Sequence, residues 1–475
     1  MANRIALDND YPSIAASQKL WERAKDLIPA GTQTLAKGPG QYVDGVAPKF
    51  VVRGKGAHVW DVDGNELIDF NMAIGPVSLG YAYEPVDRAI RAQLESGITF
   101  SLVHPLEVEV AELVREVVPC AQAVRFSKTG CDATSAAVRL ARAFTGKKKI
   151  VCCGYHGWHD WYIAVTDRSA GIPDEVKGLS FTFNYNDLAS AADAIDDETA
   201  CVILEPMVFE APKPGFLEGL QKLCRERGVL LIFDEMWTGF RWAIGGAQEA
   251  YGVTPDLATF SKAMANGMPI SVVCGRADVM RLCEKDVFFF TTFGGEALSL
   301  AAAQATIHEL REKRVPEHLA RMGRLLRDGL DATLRELSID WVKCVGHDAR
   351  TLVTFDARAG DPLHQKSLVQ QELIKRGVLW SGFHTLCYSH GMDEIGYLLA
   401  AYRQVLPILA DAVARKDVAG RLRGKPVEPV FRRTSQFNMK PVRKASERAE
   451  AREDATRERG AAERAEAPSR SERAE

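Results

Sequence analysis

The stretch that decides the fold runs from Gly228 to Lys262. It begins with Val229-Leu230-Leu231-Ile232-Phe233, an apolar run that is closed by Asp234 and Glu235. An apolar run that ends in acids is typical of a buried parallel strand, which delivers its carboxylates to the carboxyl edge of the sheet. Ligands of open α/β sheets bind at that edge. The sequence therefore predicts a ligand site beside Asp234.

A lysine follows this strand in the run Phe260-Ser261-Lys262-Ala263. A carboxylate at a strand end and an amine on a following loop suit pyridoxal 5'-phosphate (PLP), because the amine can form a Schiff base and the carboxylate can pair with the pyridinium nitrogen. Taken singly, Asp234 is more simply a solvated acid and Lys262 a surface lysine. The prediction of a PLP site therefore depends on the motifs around them.

The composition is that of an ordinary globular protein, with 46% hydrophobic and 26% charged residues in 475. The net charge of −3 gives no general attraction to nucleic acid or to anionic membranes. The ten cysteines form no CxxC pair, the start of the chain lacks an apolar signal core, and no apolar run reaches the roughly 18 residues of a membrane span. We predict a cytoplasmic protein without nucleic-acid or membrane partners.

Short apolar runs alternate with helical patterns from about residue 85 to 310, which predicts an α/β fold with a mainly parallel sheet. The strand candidates are 123–126, 150–153, 201–204, 229–233, 270–274 and 287–290. The helix candidates are 14–28, 86–95, 105–118, 132–145, 217–227, 296–313, 317–336 and 394–414, the last with a kink or break expected at Pro407. Alternation around Asp63-Gly64 predicts a hairpin.

Four segments are expected along the chain. Residues 1–75 contribute to a smaller domain and to the site, 76–330 form the large ligand-binding domain, and 331–420 form a small α+β domain. Residues 421–475 form a charged tail, in which Pro468 is the only apolar side chain larger than alanine after Arg443. We predict that this tail is disordered, with a lone solvated helix as the alternative.

Polar or glycine-containing segments follow several predicted strands. They are Thr129-Gly130-Cys131-Asp132, Gly154-Tyr155-His156-Gly157, Glu205-Pro206 and Thr291-Thr292-Phe293-Gly294-Gly295-Glu296. The first opens a helix and can bind an anion through backbone N–H groups, and the second offers an aromatic ring to a flat heterocycle. Alone, each is as well explained by a turn or by packing. A metal at His156, His159 and Asp160 is disfavoured because no second group of ligands has a recognisable spacing.

The segments taken together resemble the class-III PLP aminotransferases, and among them the enzymes similar to glutamate-1-semialdehyde aminomutase. The resemblance extends over roughly residues 20–410, and its motifs follow one another in the order of the family. In chain order, these motifs are Trp60-Asp61-Val62-Asp63-Gly64, His104-Pro105, Tyr155-His156-Gly157, Glu205-Pro206, Asp234-Glu235-Met236-Trp237-Thr238-Gly239, Gly245-Gly246, Thr254-Pro255-Asp256 and Ser261-Lys262. It implies the type-I PLP-dependent transferase fold, which combines a large domain with a mainly parallel sheet and a smaller α+β domain. It also implies a homodimer with shared active sites.

The resemblance also implies roles for individual residues. Lys262 matches the Schiff-base lysine, Asp234 the partner of the pyridinium nitrogen, and Tyr155 the aromatic that stacks on the ring. The other cofactor-binding residues implied are Thr129, Gly130 and Cys131 at the phosphate, Met236 on the second ring face, Glu235 near the cofactor, and Thr292 at the phosphate of the neighbouring subunit. Residues expected at the substrate are Thr32, Ile74, Glu205 and His384.

Two departures from the aminomutase pattern bear on the reaction. Ile74 stands where the aminomutases typically carry Trp, and Trp380 to His390 differs from their corresponding segment. The replacements resemble family members that aminate oxo-sugars. We therefore expect an aminotransferase that moves an amino group from a donor, by family habit glutamate, to an aldehyde or ketone, possibly an oxo-sugar or a related polyhydroxy compound. The alternatives are a 2,1-aminomutase, a PLP decarboxylase or racemase on the same fold, and a cofactor-free scaffold.

In the phosphate loop, Lys128 is expected to add positive charge.

Overall fold

The chain forms a seven-stranded sheet and two smaller sheets in the computed structural model, which describes residues 5–429. The strands are β1 (Val51–Lys55), β2 (His58–Asp61), β3 (Glu66–Asp69), β4 (Ala123–Ser127), β5 (Lys149–Cys153), β6 (Ser180–Thr182), β7 (Thr199–Leu204), β8 (Leu230–Asp234), β9 (Leu257–Phe260), β10 (Ser271–Gly275), β11 (Val342–His347), β12 (Arg350–Phe355), β13 (Val378–Leu379) and β14 (Phe383–Thr385). The α-helices are α1 (Ala15–Leu27), α2 (Glu84–Ser96), α3 (Pro105–Val117), α4 (Gly130–Thr145), α5 (Asp160–Ile163), α6 (Asp174–Lys177), α7 (Leu188–Ala194), α8 (Phe216–Glu226), α9 (Ala247–Tyr251), α10 (Ala277–Met280), α11 (Ala297–Glu312), α12 (Val315–Glu336), α13 (Pro362–Lys375) and α14 (Met392–Ala414).

The large sheet has the strand order β4-β10-β9-β8-β7-β5-β6. All neighbouring strands are parallel except β10, which runs antiparallel to both β4 and β9. Every residue of β7 and β8 is buried, because the sheet is covered on both faces, with α4 packed on one of them. The α/β class is confirmed. So are the predicted strands at 123–126, 150–153, 201–204, 229–233 and 270–274.

The predicted strand at 287–290 is wrong. The segment has no regular structure, and its carbonyls accept hydrogen bonds from arginine side chains instead of a neighbouring strand: Phe288 from Arg139 and Phe289 from Arg125. Phe288 and Phe290 are exposed, so the apolar run does not mark a core strand here. Several elements were not anticipated, among them β6, β9 and α13. Of these, β9 matters most because it leads directly into Lys262.

A smaller region combines both ends of the described chain. The hairpin of β2 and β3 is present, with Gly64 at φ +86° in its turn, and β3 pairs in parallel with β13. The three-stranded sheet β11-β12-β14 lies beyond α12 in the sequence. Helix α14 runs unbroken through Pro407, so no break occurs there. The segment boundaries predicted above stay predictions.

The predicted disordered tail lies outside the described residues from position 430 onward. Within residues 5–429, no helix is both long enough and apolar enough to cross a bilayer.

Candidate active site

Asp234 and Lys262 leave the large sheet at the same edge, on neighbouring strands. Asp234 ends β8 and lies opposite Thr259 of the parallel strand β9. Lys262 follows β9 after a sharp turn, in which the hydroxyl of Ser261 donates to the carbonyl of Ile270 at 2.6 Å. The backbone of Lys262 is left-handed, with φ +37°, a conformation that costs energy for a residue with a Cβ and that is concentrated at functional sites.

Asp234 is buried and is held by two donors. Its Oδ2 lies 2.7 Å from Nδ1 of His156, and its Oδ1 accepts from the backbone N–H of Met236 at 3.1 Å. The other ring nitrogen of His156, Nε2, faces the carbonyl oxygen of Cys153 at 3.2 Å. Because both ring nitrogens face oxygen atoms, these contacts fix the orientation of the imidazole ring. The imidazole in turn holds the carboxylate of Asp234 in one position at the sheet edge.

The amine of Lys262 is enclosed by aromatic and charged side chains. Its Nζ lies 3.9 Å from the centroid of the Trp237 ring. Burial, which disfavours the charged amine, lowers its pKa to about 7, and the positive charge of Arg350 acts in the same direction. The carboxylates of Glu205 and Asp234 oppose this effect. A substantial fraction of the amine is therefore neutral at physiological pH.

The loop after β5 contains Tyr155 and is held in place by Glu205. One carboxylate oxygen of Glu205, Oε1, accepts from the backbone N–H of Tyr155 at 2.8 Å. Gly154, at φ +113°, permits this approach, because a Cβ there would lie 2.9 Å from the same oxygen. Burial and then the negative charge of Asp234 raise the pKa of Glu205. Tyr155 is 43% exposed, which leaves surface for stacking.

The N-terminus of α4 meets the same cluster. Thr129 caps the helix, its Oγ1 accepting from the N–H of Asp132 at 3.2 Å while Asp132 accepts from the N–H of Thr129 at 2.8 Å. A Cβ on Gly130 would lie 2.9 Å from the sulfur of Met236. A Cβ on Gly157 would lie 2.5 Å from the sulfur of Cys131. The predicted phosphate loop, Met236 and the aromatic loop are therefore packed together.

Lys128 faces away from this loop. Its Nζ lies 2.6 Å from Oε1 of Glu296 and donates to the carbonyl of Pro269 at 3.0 Å. The charge is therefore neutralised by the N-cap of α11 and is not added to the phosphate loop, contrary to expectation. Ser271, which the sequence did not single out, donates to the carbonyl of Thr129 at 2.7 Å and fixes the loop to β10.

Two residues expected at the site have other partners. The carboxylate of Glu235 is buried and accepts from the N–H groups of Ala247 and Gln248 and from the hydroxyl of Thr238, so it holds the start of α9. Burial raises its pKa to about 6. The ring of His384 is fully buried between Thr351 and Tyr402, with one ring nitrogen bonded to each, so both of its nitrogens are already in use.

The remaining expected residues lie around the periphery. Ile74 belongs to a left-handed segment, 72–75, and a Cβ on Gly75 would meet the Trp237 ring at 2.5 Å. Thr32 lies on the N-terminal loop, where its hydroxyl donates to the carbonyl of Thr34. Thr292 is exposed on a surface shared with Phe290, and its expected role in a second subunit stays a prediction.

Three residues at the site were given no role by the sequence. Trp237 supplies the indole beneath Lys262, and Arg350 lies over the same ring with its Cζ 3.5 Å from the centroid. Arg241 is buried and donates to the carbonyls of Gly75 and Leu386, at 2.6 and 2.7 Å, which ties the left-handed segment to the residues that follow β14. The sequence offers only a weak indication that Arg350 belongs to the site, because it shows no more than a lone cation at the start of an apolar strand.

Comparison with known proteins gives the family of the chain. The sequence profile of the family described as aminotransferase class-III matches residues 42–388. The chain belongs to the class-III aminotransferase family. It is 37% identical to a 3-aminobutyryl-CoA aminotransferase of Cloacimonas acidaminovorans over 83% of this chain and 97% of that protein. It is 36% identical to a glutamate-1-semialdehyde 2,1-aminomutase of Methanothrix thermoacetophila over 71% of this chain and 82% of that protein.

Solved structures give the same result. The PLP internal aldimine form of the Sphingopyxis sp. MTA144 FumI protein is 30% identical to this aminotransferase-family chain, with a TM-score of 0.79 over 86% of this chain and 98% of that one. An omega-transaminase from Sphaerobacter thermophilus is 26% identical, with a TM-score of 0.76 over 83% of this chain and 98% of that one. The type-I PLP fold expected from the resemblance is confirmed, and PLP is the cofactor of the family.

The residues of this class-III chain fit PLP. The buried carboxylate held by His156 suits the ring nitrogen of PLP, and the lysine with a lowered pKa suits its aldehyde. The capped 16-residue helix, with glycine at its first position, suits the phosphate. The glycines at 130, 154 and 157 are required by close packing of that cradle. No group of three or more potential metal ligands occurs among residues 5–429.

The lowered pKa of Lys262 predicts the pH dependence of cofactor capture. Only the neutral amine attacks the PLP aldehyde, and raising the pH removes the proton. With a pKa of about 7, the capture rate should rise about tenfold between pH 6 and pH 8 and then level off. Stopped-flow absorbance of the apoprotein mixed with PLP measures this rate, with Nα-acetyl-lysine as the free-amine control. A rate that keeps rising to pH 10, as for the control, contradicts the prediction.

Proposed function

We propose that the protein is an aminotransferase that moves an amino group from an amino donor to an aldehyde or ketone acceptor. The proposal depends on one observation: the carboxylate of Asp234 and the amine of Lys262 lie at the ends of adjacent parallel strands, at one edge of the sheet. The N-terminus of α4 and the Tyr155 ring complete a site for PLP at that edge. When bound, PLP withdraws electrons from the substrate carbon that carries the amine.

Each residue has a defined part in this chemistry. Asp234, oriented by His156, binds the ring nitrogen and keeps a proton on it. Lys262 would accept the proton that leaves the substrate carbon and hold it at Nζ, for which a pKa of about 7 is well suited. Tyr155 and Met236 bound the ring, and Thr129, Gly130 and Cys131 bind the phosphate. The enclosed cluster around Trp237 limits the access of water.

Aminotransfer is favoured over the aminomutase reaction by two observations. Ile74 lies in the left-handed segment next to Trp237, where the aminomutases typically carry Trp. The 3-aminobutyryl-CoA aminotransferase is matched over 97% of its length, against 82% for the aminomutase of Methanothrix thermoacetophila. That relative's name makes a 3-oxoacyl thioester an acceptor class to test beside the oxo-sugars. Glutamate is the donor proposed.

The test is a donor and acceptor screen on the holoprotein. Incubation with L-glutamate should remove the absorbance of lysine-bound PLP and release 2-oxoglutarate, and an added acceptor should restore the absorbance. Conversion of glutamate-1-semialdehyde without any amino donor would instead establish an aminomutase. Release of CO2, or inversion of a stereocentre without exchange of the amino group, would establish the decarboxylase or racemase alternative.

We also propose a homodimer through an exposed aromatic surface. Phe288, Phe290 and Phe293 are each more than half exposed, and Phe288 and Phe290 border a surface cavity with Val103 and Thr292. An exposed apolar patch of this kind marks an interaction site. In the proposed dimer it brings Thr292 to the cofactor phosphate of the partner subunit.

Phe290→Asp should convert the dimer to monomers, because it places a charge in an apolar interface. Analytical ultracentrifugation of the holoprotein measures the change, and PLP affinity should fall with it because Thr292 of the partner is lost. Met392→Asp, at an exposed apolar residue at the start of α14, is the control and should remain dimeric. A wild-type protein that sediments as a monomer removes this part of the proposal.

A further inference from the structure

A cavity is bounded by the left-handed segment 72–75, by residues that precede β1 and by the sheet β1-β2-β3-β13. It has a volume of about 340 Å³. At about 30 Å³ for one water in the liquid, this volume has room for roughly ten non-hydrogen atoms. The lining is mostly apolar and comes from widely separated parts of the chain, and it includes Tyr42, Val43, Phe50, Val59, Ile74 and Leu379. A concave, largely apolar space of this size is suited to a small molecule.

Most polar side chains of the lining are already bonded within the protein, and Asn71 is the clearest case. Its Nδ2 donates to the hydroxyl oxygen of Tyr42 at 3.2 Å and to the carbonyl of Leu379 at 3.3 Å. Its Oδ1 accepts from the N–H and from the hydroxyl of Ser381. Since an amide has two donor hydrogens and two acceptor lone pairs, Asn71 is fully used by the fold.

The charged residues of the lining are paired or lie in solvent. The carboxylate of Asp69 accepts from the hydroxyl of Tyr81 at 2.7 Å and from backbone N–H groups of the segment that follows it. The ammonium of Lys49 lies 2.8 Å from the carboxylate of Asp44, and Lys37 is exposed. A polyhydroxy ligand would therefore give up hydrogen bonds to water here without equivalent replacements, whereas an apolar group has none to lose.

The cavity shares a wall with the site of Lys262. Ala73 and Ile74 line the cavity, and a Cβ on the next residue, Gly75, would lie 2.5 Å from the ring of Trp237. Nζ of Lys262 lies 3.9 Å from the centroid of that ring. The three residues before Gly75 all have left-handed backbones, with φ between +45° and +69°, a strain that is concentrated at ligand sites. The cavity is therefore the space next to a carbonyl group that reacts at Lys262.

We propose that this cavity binds an apolar body of the carbonyl acceptor, so that the protein aminates aldehydes or ketones with an apolar chain or ring in preference to polyhydroxy compounds. This inference rests on the proposed aminotransferase function and narrows its acceptor class. Burial of each methylene group against Val59, Ile74 and Leu379 favours binding about threefold to fourfold. An acyl chain gains this contribution and an oxo-sugar does not.

The first test compares pentanal with D-glyceraldehyde, which has the same number of non-hydrogen atoms. The holoprotein is converted with L-glutamate and freed of the donor, and the return of the lysine-bound PLP absorbance is followed after each aldehyde is added. The second-order rate constant should be at least about tenfold higher for pentanal. It should also rise about 30- to 60-fold from propanal to hexanal, as the gain for each methylene group requires.

Two variants place polar groups in the lining. Ile74→Asn uses a residue that tolerates a left-handed backbone. It should lower the rate constant for hexanal at least about fivefold and that for propanal less than about twofold, because only the longer chain extends into the cavity. Phe50→Gln should act in the same direction. Leu325→Asn, at an exposed apolar residue of α12, is the control and should keep both constants of the wild type.

A binding measurement separates this inference from the proposed function. Hexanamide and propanamide carry the same chains as the aldehydes but do not react with amines. Calorimetric titration of the holoprotein should give a Kd at least about tenfold lower for hexanamide, and Ile74→Asn should remove most of this difference. Equal rate constants for pentanal and D-glyceraldehyde, or equal Kd values for the two amides, would overturn the inference. If Ile74→Asn does not fold, as judged by its melting curve, Phe50→Gln decides. A protein that prefers hexanamide through these residues but transfers no amino group refutes the proposed function alone.

Discussion

Lys262→Ala should abolish the absorbance of lysine-bound PLP and reduce turnover at least about 1000-fold. The variant lacks both the amine that bonds to the cofactor and the group that moves the proton, and general acid–base catalysis alone contributes about 100- to 10,000-fold. The absorbance spectrum of the purified protein and a steady-state assay with L-glutamate measure the two effects. Because the variant keeps Trp237 and Asp234 at the edge of the sheet, PLP should still bind non-covalently.

The matched control is Lys222→Ala, at a lysine of α8 whose side chain is 77% exposed. It should keep both the spectrum and the turnover of the wild type. Added alkylamines should restore part of the activity of Lys262→Ala, because they can replace the missing base in the enclosed space. A Lys262→Ala protein that retains the lysine-type spectrum and normal turnover would show that another residue bonds to the cofactor.

Asp234→Asn should lower kcat about 100- to 1000-fold while leaving the lysine–PLP bond in place. Asn can still accept from the N–H of Met236, and its amide can face Nδ1 of His156 once that nitrogen carries no proton. The substitution therefore removes the negative charge at the ring nitrogen and little else, and electrostatic groups of this kind contribute about that factor. The rate of the half-reaction with L-glutamate, measured by stopped flow, is the readout.

Asp278→Asn is the corresponding control, because Asp278 is an exposed acid paired with Arg276 away from the site. Its half-reaction should proceed at the wild-type rate. Unchanged kcat in Asp234→Asn, with PLP bound, would mean that the ring nitrogen needs no charged partner in this protein. Loss of PLP from Asp234→Asn, with the fold intact, would instead assign Asp234 to binding of the cofactor.

Local sequence was sufficient for five of the seven strands of the large sheet. The run 229–233 is apolar throughout because β8 is buried on both faces, and that property is visible without a structure. The capping pattern of Thr129 and Asp132 likewise marks the start of α4. The strand predicted at 287–290 was wrong because its aromatic residues lie on an exposed surface, and such a surface has the same composition as a buried strand.

The small domain was less predictable. His384 carries a polar side chain in a segment near the expected substrate, yet Thr351 and Tyr402 bind both ring nitrogens within the core. Glu235 follows Asp234 directly, yet its carboxylate turns to the N-terminus of α9. Side chains at successive positions after a strand point in different directions, and only the surrounding packing decides which of them reaches a ligand.

The sequence by itself determined the class of fold, the cofactor of the family and the loop at the start of α4, because each of these depends on residues that are close together in the chain or on the order of strands. The roles of Lys262 and Asp234 toward PLP stay predictions. Only the tertiary structure decided which cations meet at the site. Arg350 reaches Trp237 from another sheet, and Arg241 joins 72–75 to Leu386, through contacts between residues far apart in the sequence. Such contacts leave no periodic pattern, since a single charged residue is compatible with either a solvated surface or a buried ligand site.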